Sequence, residues 1–260
     1  MFSLDFLVDH FQVYLLLLLR LSGFVFTAPI FGERYIPPQV KVVLSLLLAL
    51  FFYLFAVPQG AQLIDQPLPY WALLIKEVVW GFLIGFACQL VFIGVQFSGQ
   101  ITGFQMGFGV VNVIDPQSGG QVSIISRLQY LLAVLIFLAM DGHHFLLQAL
   151  ASSFDLLPLG QIEFASAVGE RLLRLTGGVF LIAVKIAAPV MVSLLLTSVA
   201  LGILARTVPQ MNVFIVGFPL KIGIGMIALA CSLPVFYYLL SKIIAVMEQD
   251  VTGLITLFAG

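Results

Sequence analysis

The stretch from Trp71 to Phe97 reads WALLIKEVVWGFLIGFACQLVFIGVQF, with Lys76 and Glu77 near its start and an uncharged run from Val78 onward. A helix needs about 20 mostly apolar residues to cross the hydrocarbon core of a bilayer. This stretch is longer than that and predicts a membrane-spanning helix. The whole chain agrees with it. Of 260 residues, 62% are hydrophobic and only 9% charged, where a soluble domain carries about 45–50% apolar and about 25% charged residues. Mean hydropathy is +1.16. A water-soluble fold of this size cannot hide so much apolar surface behind so few charges. Disorder and a disulfide scaffold are excluded on the same grounds. The fold class is therefore all-α, a polytopic helical membrane protein, read as one integral-membrane domain over residues 1–260.

Eleven Lys and Arg face twelve Asp and Glu, and no basic block exists that could grip a nucleic acid. Cys88 and Cys231 lie within apolar runs, where a thiol behaves as a small hydrophobe rather than a disulfide partner. The N-terminal MFSLDFLVDH carries Asp5 and Asp9 where a signal peptide would carry Lys or Arg, so the first apolar run is expected to be retained.

Working outward from Trp71–Phe97, the preceding segments are Phe11 to Phe31, with Arg20 as its one charge, and Val42 to Val57, which is short unless it extends back past Lys41. Pro58 to Pro69 reads as a loop. Ser98 to Ser126 differs in kind: six glycines, several Gln and Ser, and Asp115-Pro116 make it too polar for lipid and too apolar for an ordinary loop. Irregular backbone at membrane depth is tolerated only against protein or a water-filled cavity. Leu128 to Met140 resumes the apolar pattern, and Ser152 to Gly160 breaks it again at Asp155 and Pro158. An amphipathic connector with Glu163, Glu170, Arg171 and Arg174 leads to Gly177–Ala205, a turn at Arg206–Met211, and Val213–Val246. The last is longer than one span needs and holds Pro219 and Pro234, so a kinked helix and a helical hairpin are both open. About six apolar segments result. Arg34 and Lys41 in the first loop place it in the cytoplasm and the N-terminus outside, although Arg171 and Arg174 run against that bias.

Four features could carry function. Gly81 and Gly85 form GxxxG, Gly99, Gly103 and Gly107 continue the spacing of four, and Gln89, Gln96 and Gln100 fall near the same face. Small residues let helices approach closely in lipid, and Gln can hydrogen-bond across the seam. The length of the stripe favours a face for a partner chain over packing within one chain. FQMGFGVVNVIDP, Phe104 to Pro116, alternates glycine with Met106, Phe108 and Val110. Such a bendable, soft apolar segment could act as a gasket, since hydrophobic constrictions close pores by dewetting. From the residues alone, a re-entrant loop filling a void is the favoured alternative. Asp141-Gly142-His143-His144 offers two imidazoles, but neighbours on a helix point apart, so a hydrogen-bonded helix end is expected and no metal site. Finally Arg20, Lys76, Glu77, Asp141, Lys185 and Lys221 sit in or beside apolar runs, where a charge must face protein or water. They fit a proton or ion path, structural pairs between helices, and residues near the interface that snorkel equally well. No HExxH, GxSxG or phosphate-cradling loop appears, and neither enzyme activity nor a cofactor is expected.

Taken together, four stretches make a pattern: RLSGFVFTAPIFGERYIPPQVKV from Arg20, GFQMGFGVVNVIDPQSG from Gly103, DGHHFLLQALASSFDLLPLG from Asp141, and RTVPQMNVFIVGFPLKIGIG from Arg206. In order and spacing the chain resembles the FliR/SpaR/YscT family of type III export-gate proteins, and VFIVGFPLKI is more similar to its flagellar branch. The resemblance implies a subunit of a helical, pore-forming gate in the bacterial inner membrane at the flagellar basal body. FliP-like and FliQ-like proteins would be its partners, FlhB-like and FlhA-like components its neighbours, and unfolded flagellar subunits its cargo. It implies a gasket at Met106, Gly107, Phe108, Gly109, Val110, Val111 and Val113. It assigns structural roles to Arg20, Pro29, Asp115, Pro116, Asp141, Pro158, Arg206, Pro209 and Pro219. A small-solute secondary transporter is the competing class, and it calls for an internal repeat that the chain lacks.

Overall fold

A computed structural model describes residues 4–55, 69–108, 123–160, 162, 166–210 and 212–259, and among these residues every regular element is a helix. In chain order they are α1 (Leu4–Thr27), α2 (Pro38–Phe55), α3 (Tyr70–Met106), α4 (Ile124–Ala139), α5 (Gly142–Leu156), α6 (Ser166–Thr207) and α7 (Val213–Ala259). Five are long and apolar enough to cross a membrane, and a sixth span arises if the broken pair α4 and α5 counts as one. The polytopic helical reading therefore holds.

Local chemistry explains the boundaries. The first helical residue of α2 is Pro38, whose missing N–H would have had no partner there anyway. α2 thus extends back past Lys41. α3 runs 37 residues, through Ser98 and on to Met106, so the glycine-rich stretch is helical for its first third and not irregular throughout. In lipid, a backbone that satisfies its own N–H and C=O groups outweighs the weak helix propensity of glycine. α6 starts at Ser166 and absorbs Glu170, Arg171 and Arg174 into its first turns. α7 is one continuous helix of 47 residues with Pro219 and Pro234 inside it, so the hairpin alternative is ruled out. Pro189 sits within α6, where Ser193 Oγ donates 3.1 Å to the Pro189 carbonyl and Thr197 Oγ1 donates 2.8 Å to Ser193.

Contacts divide the chain into two units. The first takes α1, α2, α3 as far as Leu90, α5, α6 as far as Leu175, and α7 from Val246. Its interior holds Leu16, Leu17, Leu21 and Phe24 of α1, Trp80 and Ile84 of α3, and Leu146 and Leu150 of α5, all fully or almost fully buried. Phe52 lies against Phe154 with ring centroids 5.2 Å apart. The second unit takes α3 from Val91, α4, α6 from Thr176 and α7 up to Ala245. There Phe92 meets Phe137 edge-on at 5.3 Å, Phe97 meets Phe180 at 5.4 Å, and Met106, Ile125, Val190 and Leu194 form a buried cluster. Lipid tails are as apolar as these side chains, so such contacts stabilise through close packing rather than through escape from water.

Candidate functional site

Two constructions stand out, one in each unit. In the first, α1 and α3 cross with their backbones nearly touching. A Cβ on Gly81 would lie 2.8 Å from the Arg20 carbonyl carbon and 3.0 Å from the Phe24 nitrogen. One on Gly85 would lie 2.9 Å from the Ala28 nitrogen, and one on Gly23 would lie 2.9 Å from the Phe82 nitrogen. Glycines on both helices make this approach possible. Gly81 and Gly85 are therefore spent on packing within the chain, and the partner-face expectation gives way there to the intrachain alternative.

The close crossing lets Arg20 reach Glu77, and both side chains are fully buried. Arg20 Nε donates to Glu77 Oε2 at 2.6 Å and Nη2 donates to Oε1 at 3.2 Å, a bidentate pair. Arg20 Nη1 donates to the carbonyls of Ser153 at 2.9 Å and Leu157 at 3.0 Å, at the C-terminal end of α5. A cation is favoured at that end of a helix, where carbonyls lack intrahelical donors. The Gly160 N–H donates to Glu77 Oε1 at 2.8 Å, and the guanidinium lies 4.6 Å over the Phe154 ring. One charge pair thus joins α1, α3 and the segment leaving α5, where Pro158 follows the cap residue Leu157. Of the alternatives for the apolar-run charges, Arg20 and Glu77 form a structural pair. Lys76 Nζ donates 2.9 Å to the Ile162 carbonyl, Lys185 is exposed, and Lys221 is half-buried.

In the second unit the glycine seam continues against α4. A Cβ on Gly99 would sit 2.8 Å from the Ser126 nitrogen, and one on Gly103 would meet the Ser123 side chain. Hydroxyls lace the crossing: Ser126 Oγ donates to the Gln96 carbonyl at 2.7 Å, and Ser98 Oγ lies 2.6 Å from Gln129 Oε1. Gln96 contributes its backbone, Gln100 is exposed, and Gln89 is half-buried with no partner for its Oε1. The seam is again internal to the chain.

α3 ends in a Schellman cap. Gly107 has φ +98, its N–H donates to Phe104 O at 3.0 Å, and the Phe108 N–H donates to Gly103 O at 3.1 Å. A side chain at Gly107 would also lie 2.6 Å from the Phe218 ring. Met106 is fully buried in the cluster with Ile125, Val190 and Leu194, and a Cβ on Gly225 would lie 2.8 Å from Met106 Cγ. Phe108 packs partly buried on the same cluster. Met106 is therefore packed inside the chain at the end of α3, and Gly107 is the helix stop. Gly109, Val110, Val111, Val113, Asp115 and Pro116 lie outside the described residues.

The remaining motif residues fall at helix ends. Pro29 follows α1, in a turn where Ile30 has φ 70 and Lys41 Nζ donates 2.8 Å to the Gly32 carbonyl. Arg206 is the basic residue in the last turn of α6, Pro209 lies in the turn after it, and Pro219 is inside α7. Asp141 separates α4 from α5 in the left-handed region, φ 58 and ψ 24. The His143 and His144 rings beside it are 4.2 Å apart, so the expected divergence of neighbouring imidazoles does not occur at this first helical turn.

In the sequence Arg20 and Glu77 are separate charges in apolar runs, and nothing in the spacing of 57 positions pairs them. The roles of Ser153, Leu157, Gly160 and Gly225 left no signal in the sequence, because they act through carbonyls, an N–H and an absent side chain.

Residues 11–247 match the pattern of bacterial export proteins, family 1. The chain is 34% identical to the flagellar biosynthetic protein FliR of Bacillus subtilis (strain 168), covering 96% of this chain and 97% of that one. It is 32% identical to the protein of the same name in Escherichia coli (strain K12), covering 86% and 85%. With the Aquifex aeolicus (strain VF5) protein of that name the identity is 31%, covering 90% of each chain. This polytopic membrane chain therefore belongs to family 1 of the bacterial export proteins, with FliR proteins as its relatives.

Proposed function

We propose that the chain is a structural subunit of the flagellar type III export gate in the bacterial inner membrane. In this reading it joins FliP-like and FliQ-like proteins around a pore for unfolded flagellar subunits, near FlhB-like and FlhA-like components, and performs no chemistry itself. The observation that carries the proposal is the 34% identity to the Bacillus subtilis FliR protein over 96% of this chain. The relatives compared are flagellar by name, which favours the flagellar over the virulence branch. A physical feature supports assembly: the most apolar 18-residue stretches of Val168–Thr207 and Ile215–Leu257 are only 33% and 11% buried within the chain. These helices leave long apolar faces for lipid and for other chains.

Within such a gate the segment from Met106 to Val113 is the candidate gasket, and its first residues, Met106 and Phe108, pack on the buried cluster. Native mass spectrometry of the tagged chain, extracted in mild detergent from its own membrane, tests the proposal. Co-purification with FliP-like and FliQ-like chains at fixed stoichiometry is expected. A stable lone monomer that transports a small solute in liposomes would replace the gate with the transporter. For the gasket, Val110→Gly with Val111→Gly is expected to raise the ion conductance of the assembled gate in planar bilayers. Unchanged conductance would remove that role.

A further inference from the structure

We infer that Asp141, His143 and His144 form a three-donor site for a divalent transition metal of the nickel–copper–zinc group. Three observations converge. Each residue offers one ligand atom, and these atoms all lie within 4.8 Å of one another. Asp141 occupies the N-cap position of α5 yet makes no side-chain capping bond, so its carboxylate is not spent on the helix end. His143 Nδ1 is shut off from solvent and has no hydrogen-bond partner, an arrangement that costs free energy unless something else satisfies the nitrogen.

Side-chain rotamers bring the two rings together, and the backbone brings the carboxylate to them. Within a regular helix, adjacent imidazoles diverge by about 100°. Here Asp141 leaves helical geometry at φ 58, and the carboxylate turns back over the first turn of α5. Its Oδ1 lies 3.6 Å from His144 Nδ1. Bonds of about 2.0–2.1 Å in a tetrahedral shell put neighbouring ligand atoms about 3.3 Å apart. Side-chain rotation of an ångström or so closes the present spacing to that value. The Asp141 and His144 side chains are 73% and 70% exposed, so both are free to rotate and open to an ion from water. Two imidazoles and one carboxylate suit borderline metals over calcium or magnesium, which prefer all-oxygen shells. With three protein ligands, the remaining positions stay open to water. A bound ion would clamp Asp141 to the start of α5.

The test uses the purified chain with a histidine-free tag and Cys231→Ser, because Cys231 is an exposed thiol that could bind metal by itself. Titration with Zn2+, and with Cu2+ followed by electron paramagnetic resonance, is expected to show one equivalent bound with nitrogen hyperfine coupling. His143→Ala, His144→Ala and Asp141→Asn should each weaken binding at least tenfold, while His10→Ala leaves it unchanged; circular dichroism confirms that each variant is folded. No stoichiometric binding, or binding indifferent to the two histidine variants, overturns the proposal. Dependence on the histidines without dependence on Asp141 overturns it as a three-donor site.

Discussion

Removing the charge of Glu77 isolates what the buried pair contributes. Arg20 makes two hydrogen bonds to Glu77 and two to the Ser153 and Leu157 carbonyls, with no access to water. In Glu77→Gln the amide keeps the size and one acceptor but leaves the guanidinium as an uncompensated buried charge. Breaking a buried pair from one side costs about 3–5 kcal/mol. At about 2–4 °C per kcal/mol for a chain of this size, the melting temperature should fall by about 6–20 °C. Arg20→Met strands the carboxylate instead and should cost a similar amount. The double variant Arg20→Met with Glu77→Leu removes both charges and leaves only the Ser153, Leu157 and Gly160 backbone groups to find new partners, at about 1–3 kcal/mol for each group left unsatisfied. Its loss should be smaller than the sum of Arg20→Met and Glu77→Leu by more than about 2 kcal/mol, the mark of coupled sites. The assay is thermal unfolding of the detergent-solubilised chain in a Trp71→Phe background, followed by the fluorescence of the buried Trp80. Additive losses, or a Glu77→Gln protein that melts with the wild type, would refute the clamp.

Close packing along α3 sets three further outcomes. Gly81→Ala drives a methyl into the Arg20 backbone and should destabilise, whereas Gly178→Ala, with nothing within 4 Å, should stabilise α6 by about 0.5–1 kcal/mol. Equal effects in unfolding assays would count against the α1–α3 crossing. Met106→Ala empties a fully buried site and should cost about 2–5 kcal/mol, while Met106→Leu should cost less than about 1.5; a neutral Met106→Ala would show the cluster is not packed. Gly107→Ala must adopt φ +98 against the Phe218 ring, so it should lower stability by more than about 1 kcal/mol, and its proteolysis after Met106 should accelerate. Unaltered cleavage would refute the cap.

What the amino-acid order alone determined is the solvent. So few charges among so many apolar residues require a bilayer, where the backbone must close its own hydrogen bonds, and uninterrupted apolar runs such as Val78–Phe97 do so as helices rather than as alternating barrel strands. Glycine spacing likewise announced that something packs closely along α3. The chain could not announce what packs there. Gly81 and Gly85 meet α1, Gly99 and Gly103 meet α4, and a missing side chain is compatible with any neighbour until the helices are placed. The same holds for charge. Arg20 and Glu77 stood out as costly in apolar runs, but an ion path and a structural pair share the same residue types, and 57 positions separate the two. Met106 carried a soft side chain suited to a gasket or to a core, and only its seat beside Gly225 shows that it packs inside the chain. Hydropathy is a property of each residue summed along the chain, so sequence reads it directly. Pairing depends on which surfaces meet, and tertiary packing alone decides that.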